Sequence, residues 1–104
     1  MKNYVVVFIT AVSMQQAQKI ANALVDKRLA ACVNIIADIK SIYIWKGKKE
    51  TANEVLLIAK SKKGNFKKIV KAVRALHSYE VPEIISLKID DGCKEYLKWL
   101  GVNS

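Results

Sequence analysis

The spacing of apolar and polar positions changes several times along the chain, and each change marks a new element. Tyr4-Val5-Val6-Val7-Phe8-Ile9 is an unbroken β-branched and aromatic run, which predicts a central strand covered on at least one face. From Ala17 the spacing becomes helical. Ala17, Ile20, Ala21, Leu24 and Val25 form one stripe, and Gln18, Lys19, Asn22 and Asp26 form the polar side. Ser13 with Gln16 three residues on is a capping-box signature for the start of this helix, and Lys27-Arg28 suit its end.

Residues 31–45 return to a strand pattern (Cys32, Val33, Ile35, Ile36, Ile39, Ile42, Tyr43, Ile44, Trp45), irregular around Ala37-Asp38. Lys46-Gly47-Lys48-Lys49 reads as a turn, and Glu54-Val55-Leu56-Leu57-Ile58-Ala59 as the returning strand of a hairpin. The first arm spans up to fifteen residues, whereas strands usually run to about five or six. Its tip holds Ile42, Tyr43, Ile44 and Trp45, an aggregation hazard if left bare, so the hairpin asks for another copy of the chain. Asn65 is placed to cap a second helix with the stripe Phe66, Ile69, Val70, Val73 and Leu76, its wet face being Lys67, Lys68, Lys71 and Arg74. A last strand is expected over 84–90, a turn at Asp90-Asp91-Gly92, and a short helix carrying Tyr96, Leu97, Trp99 and Leu100. The order is β-α-β-β-α-β with a C-terminal helix, an α+β chain on the ferredoxin-like, split βαβ plan. With no repeat, linker or low-complexity stretch, residues 1–104 read as one domain.

Composition sharpens this picture. At 52% hydrophobic, so small a chain carries more apolar surface than one sphere can hide, which again points to contact between subunits. Eighteen basic residues against nine acidic give +9, a field that attracts anions. The basic residues are nearly all lysines scattered along the chain, which reads as a solvated surface rather than a base-reading one. The element order also suits an RNA-binding sheet, but that needs stacking aromatics on the third strand, and residues 53–60 have none. No nucleic-acid partner is expected. Cys32 and Cys93 belong to no CxxC, so no disulfide framework or zinc knuckle is written, which fits a reducing, cytoplasmic setting. Lys2, the apolar run and Ala11-Val12-Ser13 resemble a short signal segment, but the run is better read as a buried strand. No stretch reaches the length of a membrane span.

Candidate chemistry concentrates in Leu76-His77-Ser78-Tyr79-Glu80-Val81-Pro82-Glu83, which holds the only histidine and the only proline. Hydrolytic machinery is hard to assemble, since neither cysteine sits in a recognisable nucleophile turn. The four glycines make no phosphate loop. Glu80 and Glu83 could serve as acid and base or stand as solvated loop charge. Metal binding is the remaining chemistry. A thiolate and an imidazole favour soft or borderline ions such as copper or zinc, but two donors do not close a site. Ligands would have to come from Glu80, Glu83, Cys93 or a neighbouring subunit. Equally, Cys32 reads as a small buried apolar residue and His77 as a helix-end residue bonding a carbonyl.

Five segments in register resemble the CutA divalent-cation tolerance proteins. They are Arg28-Leu29-Ala30-Ala31-Cys32-Val33-Asn34, Ser41 to Glu50, Glu54 to Ile58, Leu76 to Ile85, and Tyr96-Leu97-Lys98-Trp99-Leu100. The resemblance implies a tight homotrimer, similar in architecture to the PII signalling proteins, with no enzymatic reaction and no organic cofactor. It implies a weakly bound divalent cation of copper type, with Cys32 and His77 as candidate ligands. Trp45, Tyr79, Glu80 and Glu83 are then expected to line clefts between subunits, with Trp99 as interface packing. Two alternatives accompany this reading: a PII-like module binding a small anionic ligand in those clefts, and a stable trimeric adaptor for another protein. The chain departs from the family pattern in two places: Ser78 stands where a proline is usual, and Ala11 to Gln16 replace a segment with proline and acidic residues.

Overall fold

The computed structural model describes residues 3–104; Lys2, part of the signal-like pattern, lies outside them. The elements are β1 (Tyr4–Ala11), α1 (Met14–Asp26), β2 (Cys32–Trp45), β3 (Lys48–Lys62), a short 3-10 turn (Lys63–Asn65), α2 (Phe66–Leu76), β4 (Ile84–Lys88) and α3 (Lys94–Val102). One sheet has the strand order β2-β3-β1-β4, each neighbour antiparallel. The order anticipated from hydrophobic spacing is the order found.

Strand alternation gives the sheet two different faces. Val5, Val7, Ile9 and Ala11 of β1, level with Ser61, Ala59, Leu57 and Val55 of β3, are buried. Ala17, Ile20 and Leu24 of α1, with Ile69 and Val73 of α2, complete this core. The other face carries Val6, Phe8 and Thr10 of β1, Ile58 and Leu56 of β3, and Ile85 and Leu87 of β4. Among the described residues only α3 covers part of it, with Gly101 set against Tyr4. Ile36, Ile85 and Leu87 on this face remain 44–50% exposed.

The hairpin is longer than expected on its returning side. Its turn is only Lys46-Gly47, both at positive φ (51° and 79°), the left-handed geometry that matches the twist of the strands it joins. Lys48 and Lys49, expected in the turn, already belong to β3. Residues Ile39–Trp45 and Lys48–Glu54 pair only with each other, because β1 begins its pairing at Val55. They form a two-stranded arm beyond the sheet, and the molecule measures 44 × 25 × 23 Å. Arm residues Ile42 and Ile44 are 66% and 69% exposed. The irregularity around Ala37-Asp38 is a bulge between Ile36 and Ile39, with Asp38 at φ 60°.

The first cap forms nearly as expected. Ser13 Oγ accepts from the Gln16 amide at 3.1 Å, while Gln16 Oε1 accepts from Val12, one residue before the cap. Asn65 does not cap α2. Its side-chain amide donates instead to Ser61 Oγ at 3.1 Å and to the Leu29 carbonyl, which the fully buried Ser61 hydroxyl also reaches. A local cap has lost to a tertiary knot that ties β3 to the end of α1. β4 ends at Lys88 rather than 90, and Asp91 Oδ1 accepts from the Gly92 amide at 2.8 Å before α3 begins. Ser61→Ala should destabilise the fold by about 1–2 kcal/mol in urea unfolding, because it takes a donor from a buried carbonyl and an acceptor from Asn65.

Candidate functional site

A cleft of about 670 Å³ opens where the four-stranded sheet gives way to the arm. On one side stand Ser41, Tyr43 and Trp45 of β2; on the other, Tyr79, Glu80 and Glu83 of the loop between α2 and β4; Thr10 and Glu54 line it too. The bulge decides which arm residues face the cleft. Before it, Cys32, Asn34 and Ile36 lie level with Lys60, Ile58 and Leu56; after it, Ile39, Ser41, Tyr43 and Trp45 lie level with Glu54, Ala52, Glu50 and Lys48. Residues that pair directly share a face, so the extra residue moves the odd-numbered positions of β2 onto the side of Thr10 and Leu56.

The loop 77–83 is held by its histidine. His77 caps α2, its amide bonding the Val73 carbonyl at 2.8 Å. Its Nε2 lies 2.6 Å from the Thr10 carbonyl, and its Nδ1 accepts from the Tyr79 amide at 3.0 Å. An acceptor at Nδ1 and a carbonyl at Nε2 together require the neutral tautomer protonated at Nε2. His77 therefore bonds a carbonyl at a helix end. Both ring nitrogens are engaged.

Beside it, the Tyr79 hydroxyl donates to Glu54 Oε2 at 3.0 Å. Glu54 is only 6% exposed, and the described residues offer that carboxylate no other hydrogen bond. Burial, then the adjoining Glu54 carboxylate, push the Tyr79 phenol up to about 12. Among the described residues no lysine or arginine lines the cleft, although the chain has eighteen. The two departures from the family pattern meet nearby, for Gln16 Nε2 donates to Ser78 Oγ at 3.1 Å.

Cys32 lies elsewhere. It pairs with Lys60, which pairs with Val6, whereas His77 bonds Thr10. The two are separated by about 13 Å along the strand direction and about 10 Å across it. Cys32 is half-buried near Asn34, and burial, then Cys32, raise the Tyr96 phenol above its ordinary range. Cys93 is exposed at the start of α3. Among the described residues, no three His, Cys, Asp or Glu side chains gather as a metal cluster. The structure thus brings Trp45, Tyr79, Glu80 and Glu83 around one cleft and leaves Cys32 apart from His77 within a chain. Trp99 stacks on Tyr96 with ring centroids 5.6 Å apart and stays 45% exposed. Sequence reasoning missed Glu54 and Tyr43. The available signal was a lone carboxylate opening an apolar strand on the same parity as Leu56.

Fold and site define the class: a small α+β protein with a four-stranded antiparallel sheet, three helices, a projecting two-stranded arm and an acidic cleft at its root. Comparison with known proteins narrows it. Residues 5–103 match the family model described as CutA1 divalent ion tolerance protein. The divalent-cation tolerance protein CutA of Thermus thermophilus is 48% identical over 99 residues, covering 95% of this chain and 96% of that protein. The Archaeoglobus fulgidus protein of the same description is 44% identical over 90% of this chain and 91% of its own length. The solved Thermus thermophilus structure aligns with a TM-score of 0.95 at 48% identity, covering 97% of this chain and 98% of that one. The chain belongs to the CutA1 family. It spans only about half the length of the chloroplastic Arabidopsis thaliana relative, 53% of which is covered. No helix among the described residues is long and apolar enough to cross a membrane.

The Tyr79 phenol gives a pH signature. Its proton is held more tightly in the folded state, so the stability it contributes is present below pH 10 and is lost as pH rises from 10 through about 12. Tyr79→Phe should flatten that part of the stability–pH curve. At neutral pH it should cost about 1.5–3 kcal/mol, because the buried Glu54 loses its donor; thermal melts of both proteins across pH 7–11 check this.

Proposed function

We propose that this chain acts as a homotrimer that binds divalent cations, a copper-type ion first among them, without catalysing a reaction, and does so in the cytoplasm. The observation that carries the reading is the sign of the cleft. On a chain of net charge +9, the cleft collects Glu54, Glu80 and Glu83 with no basic residue among the described ones to neutralise them. Its field attracts cations where the rest of the surface repels them. The same lining counts against the PII-like alternative, because an anionic ligand would meet three carboxylates there.

Assembly is supported by the arm. A two-stranded ribbon is marginal by itself in water, and this one exposes Ile42 and Ile44 on one side and Tyr43 and Trp45 on the other. Packing on other copies would bury Ile42 and Ile44 along with Ile36, Ile85 and Leu87, with the cleft and its lining residues Tyr43 and Trp45 left in the seam. Cys32 and His77, apart within one chain, do not fit a shared ion there. As candidate ligands they would act with the cleft carboxylates in the seams between copies, His77 after giving up one of its present bonds. The relatives' printed names, which speak of divalent-cation tolerance, support this cation reading.

Two measurements test it. Sedimentation equilibrium should give three times the mass of the 11.7 kDa chain, and a monomer in dilute solution would remove the seams. In calorimetric titration with Cu²⁺, Cys32→Ser and His77→Ala should each weaken binding by about tenfold or more. Wild-type affinity in both variants would discard that ligand pair, and wild-type affinity in Glu54→Gln would discard the cleft.

A further inference from the structure

We propose that the cleft also takes a linear aliphatic diammonium ion, one ammonium seated on the buried Glu54 carboxylate and the other directed to the rim carboxylates Glu80 and Glu83. This rests on the reading that the cleft attracts cations and names a class of cation beyond a bare metal ion.

Glu54 is the first reason. A buried carboxylate is costly without a partner of opposite charge, and among the described residues this one has only the neutral hydroxyl of Tyr79. Among the described residues no arginine or lysine lines the cleft to supply the charge. The carboxylate can accept several hydrogen bonds and is given one, which leaves acceptor capacity for the N–H groups of an ammonium.

The walls are the second reason, and they separate an organic cation from a metal. A hard divalent ion asks for about six oxygen ligands in a tight shell. Glu54, Glu80 and Glu83 share the cleft without converging into such a cluster. The cleft's walls include three aromatic residues, Tyr43, Trp45 and Tyr79, of which Tyr79 touches the buried carboxylate. Indole and phenol faces attract ammonium groups through the ring quadrupole and pack against methylene chains, whereas they give a hard metal nothing to coordinate. Trp45 already behaves this way toward the chain's own lysine, with Lys46 Nζ 5.7 Å from the ring centroid.

Size is the third reason. At about 670 Å³ the cleft lies within the range of small-molecule sites and far exceeds a single ion. One deep carboxylate, aromatic walls and two acids at the rim describe a charge–chain–charge ligand. A monoammonium would use only the inner half.

The full-length protein, titrated at constant ionic strength with 1,4-diaminobutane, n-butylammonium and 1-butanol, tests this by calorimetry and tryptophan fluorescence. The diammonium should bind saturably at one per chain and several-fold tighter than the monoammonium, and butanol should not bind. Glu54→Gln should weaken the diammonium by at least about thirtyfold, as for one partner removed from a buried charge pair. Glu83→Gln should weaken it by about threefold and leave the monoammonium unchanged. If Glu54→Gln proves poorly folded, the Glu83→Gln contrast between the two amines decides. Absence of saturable diammonium binding, or equal binding by wild type and Glu54→Gln, overturns the proposal. Should Cu²⁺ bind in a Glu54-dependent way while the diammonium does not, this inference falls and the cation reading stands. If neither binds, both fall.

Discussion

A two-stranded ribbon leaves both outer edges unpaired and both faces without a layer above them. In this chain that condition holds for seven residues on each side, Ile39–Trp45 and Lys48–Glu54, and most of the other features are arranged around it. The sheet proper is conventional: β1 lies between β3 and β4, and two helices cover one face. The arm is an extension of β2 and β3 beyond the point where β1 stops, and its apolar residues have no cover within the chain. Unburied side chains at both tip and sheet face belong to one problem of solvation.

The cleft forms at the root of that arm because three segments end together there. β1 finishes at Ala11, the loop from α2 arrives at His77, and β3 emerges from the sheet at Glu54. The histidine joins the first two by bonding Thr10, and Tyr79 joins the second to the third by bonding Glu54. Two hydrogen bonds thus fix the loop to the sheet. They also hold the Glu54 carboxylate at the root of the cleft, where its one partner among the described residues is the Tyr79 phenol.

Where periodicity was strong, the fold was legible. Both long helices, β1 and the second half of β3 were visible because each buries one face, β2 and β4 showed through their β-branched runs, and the bulge could be seen as a break in phase at Ala37-Asp38. The first half of β3 was not legible. Lys48 to Asn53 pair only with β2 and pack under no layer, so their side chains carry no alternation to read. Asn65 misled because its amide found Ser61 and Leu29, partners distant in sequence or on another element. The site was half legible. The loop stood out through its unique histidine and proline, and Trp45 through its place at the tip. Glu54 looked like the polar start of a strand, and its burial depends on a tyrosine twenty-five residues away. The separation of Cys32 from His77 depends on register across three strands, which no local pattern encodes.

The bulge at Asp38 has a consequence for how such a chain can change over time. Substitutions in β2 alter one position of the cleft at once. A one-residue deletion at 37–38 would act differently: it would leave Ile36 level with Leu56 and Ile39 level with Glu54, so Ser41, Tyr43 and Trp45 would stay on the cleft side while the bend and extra twist of the bulge were lost. The root of the arm would straighten and the aromatic wall would swing relative to the loop that faces it, with every residue beyond the lesion unchanged in identity. The length of that short segment therefore sets the angle at which the arm leaves the sheet, and a change of length there, rather than a point change, would reorient the whole ribbon at once.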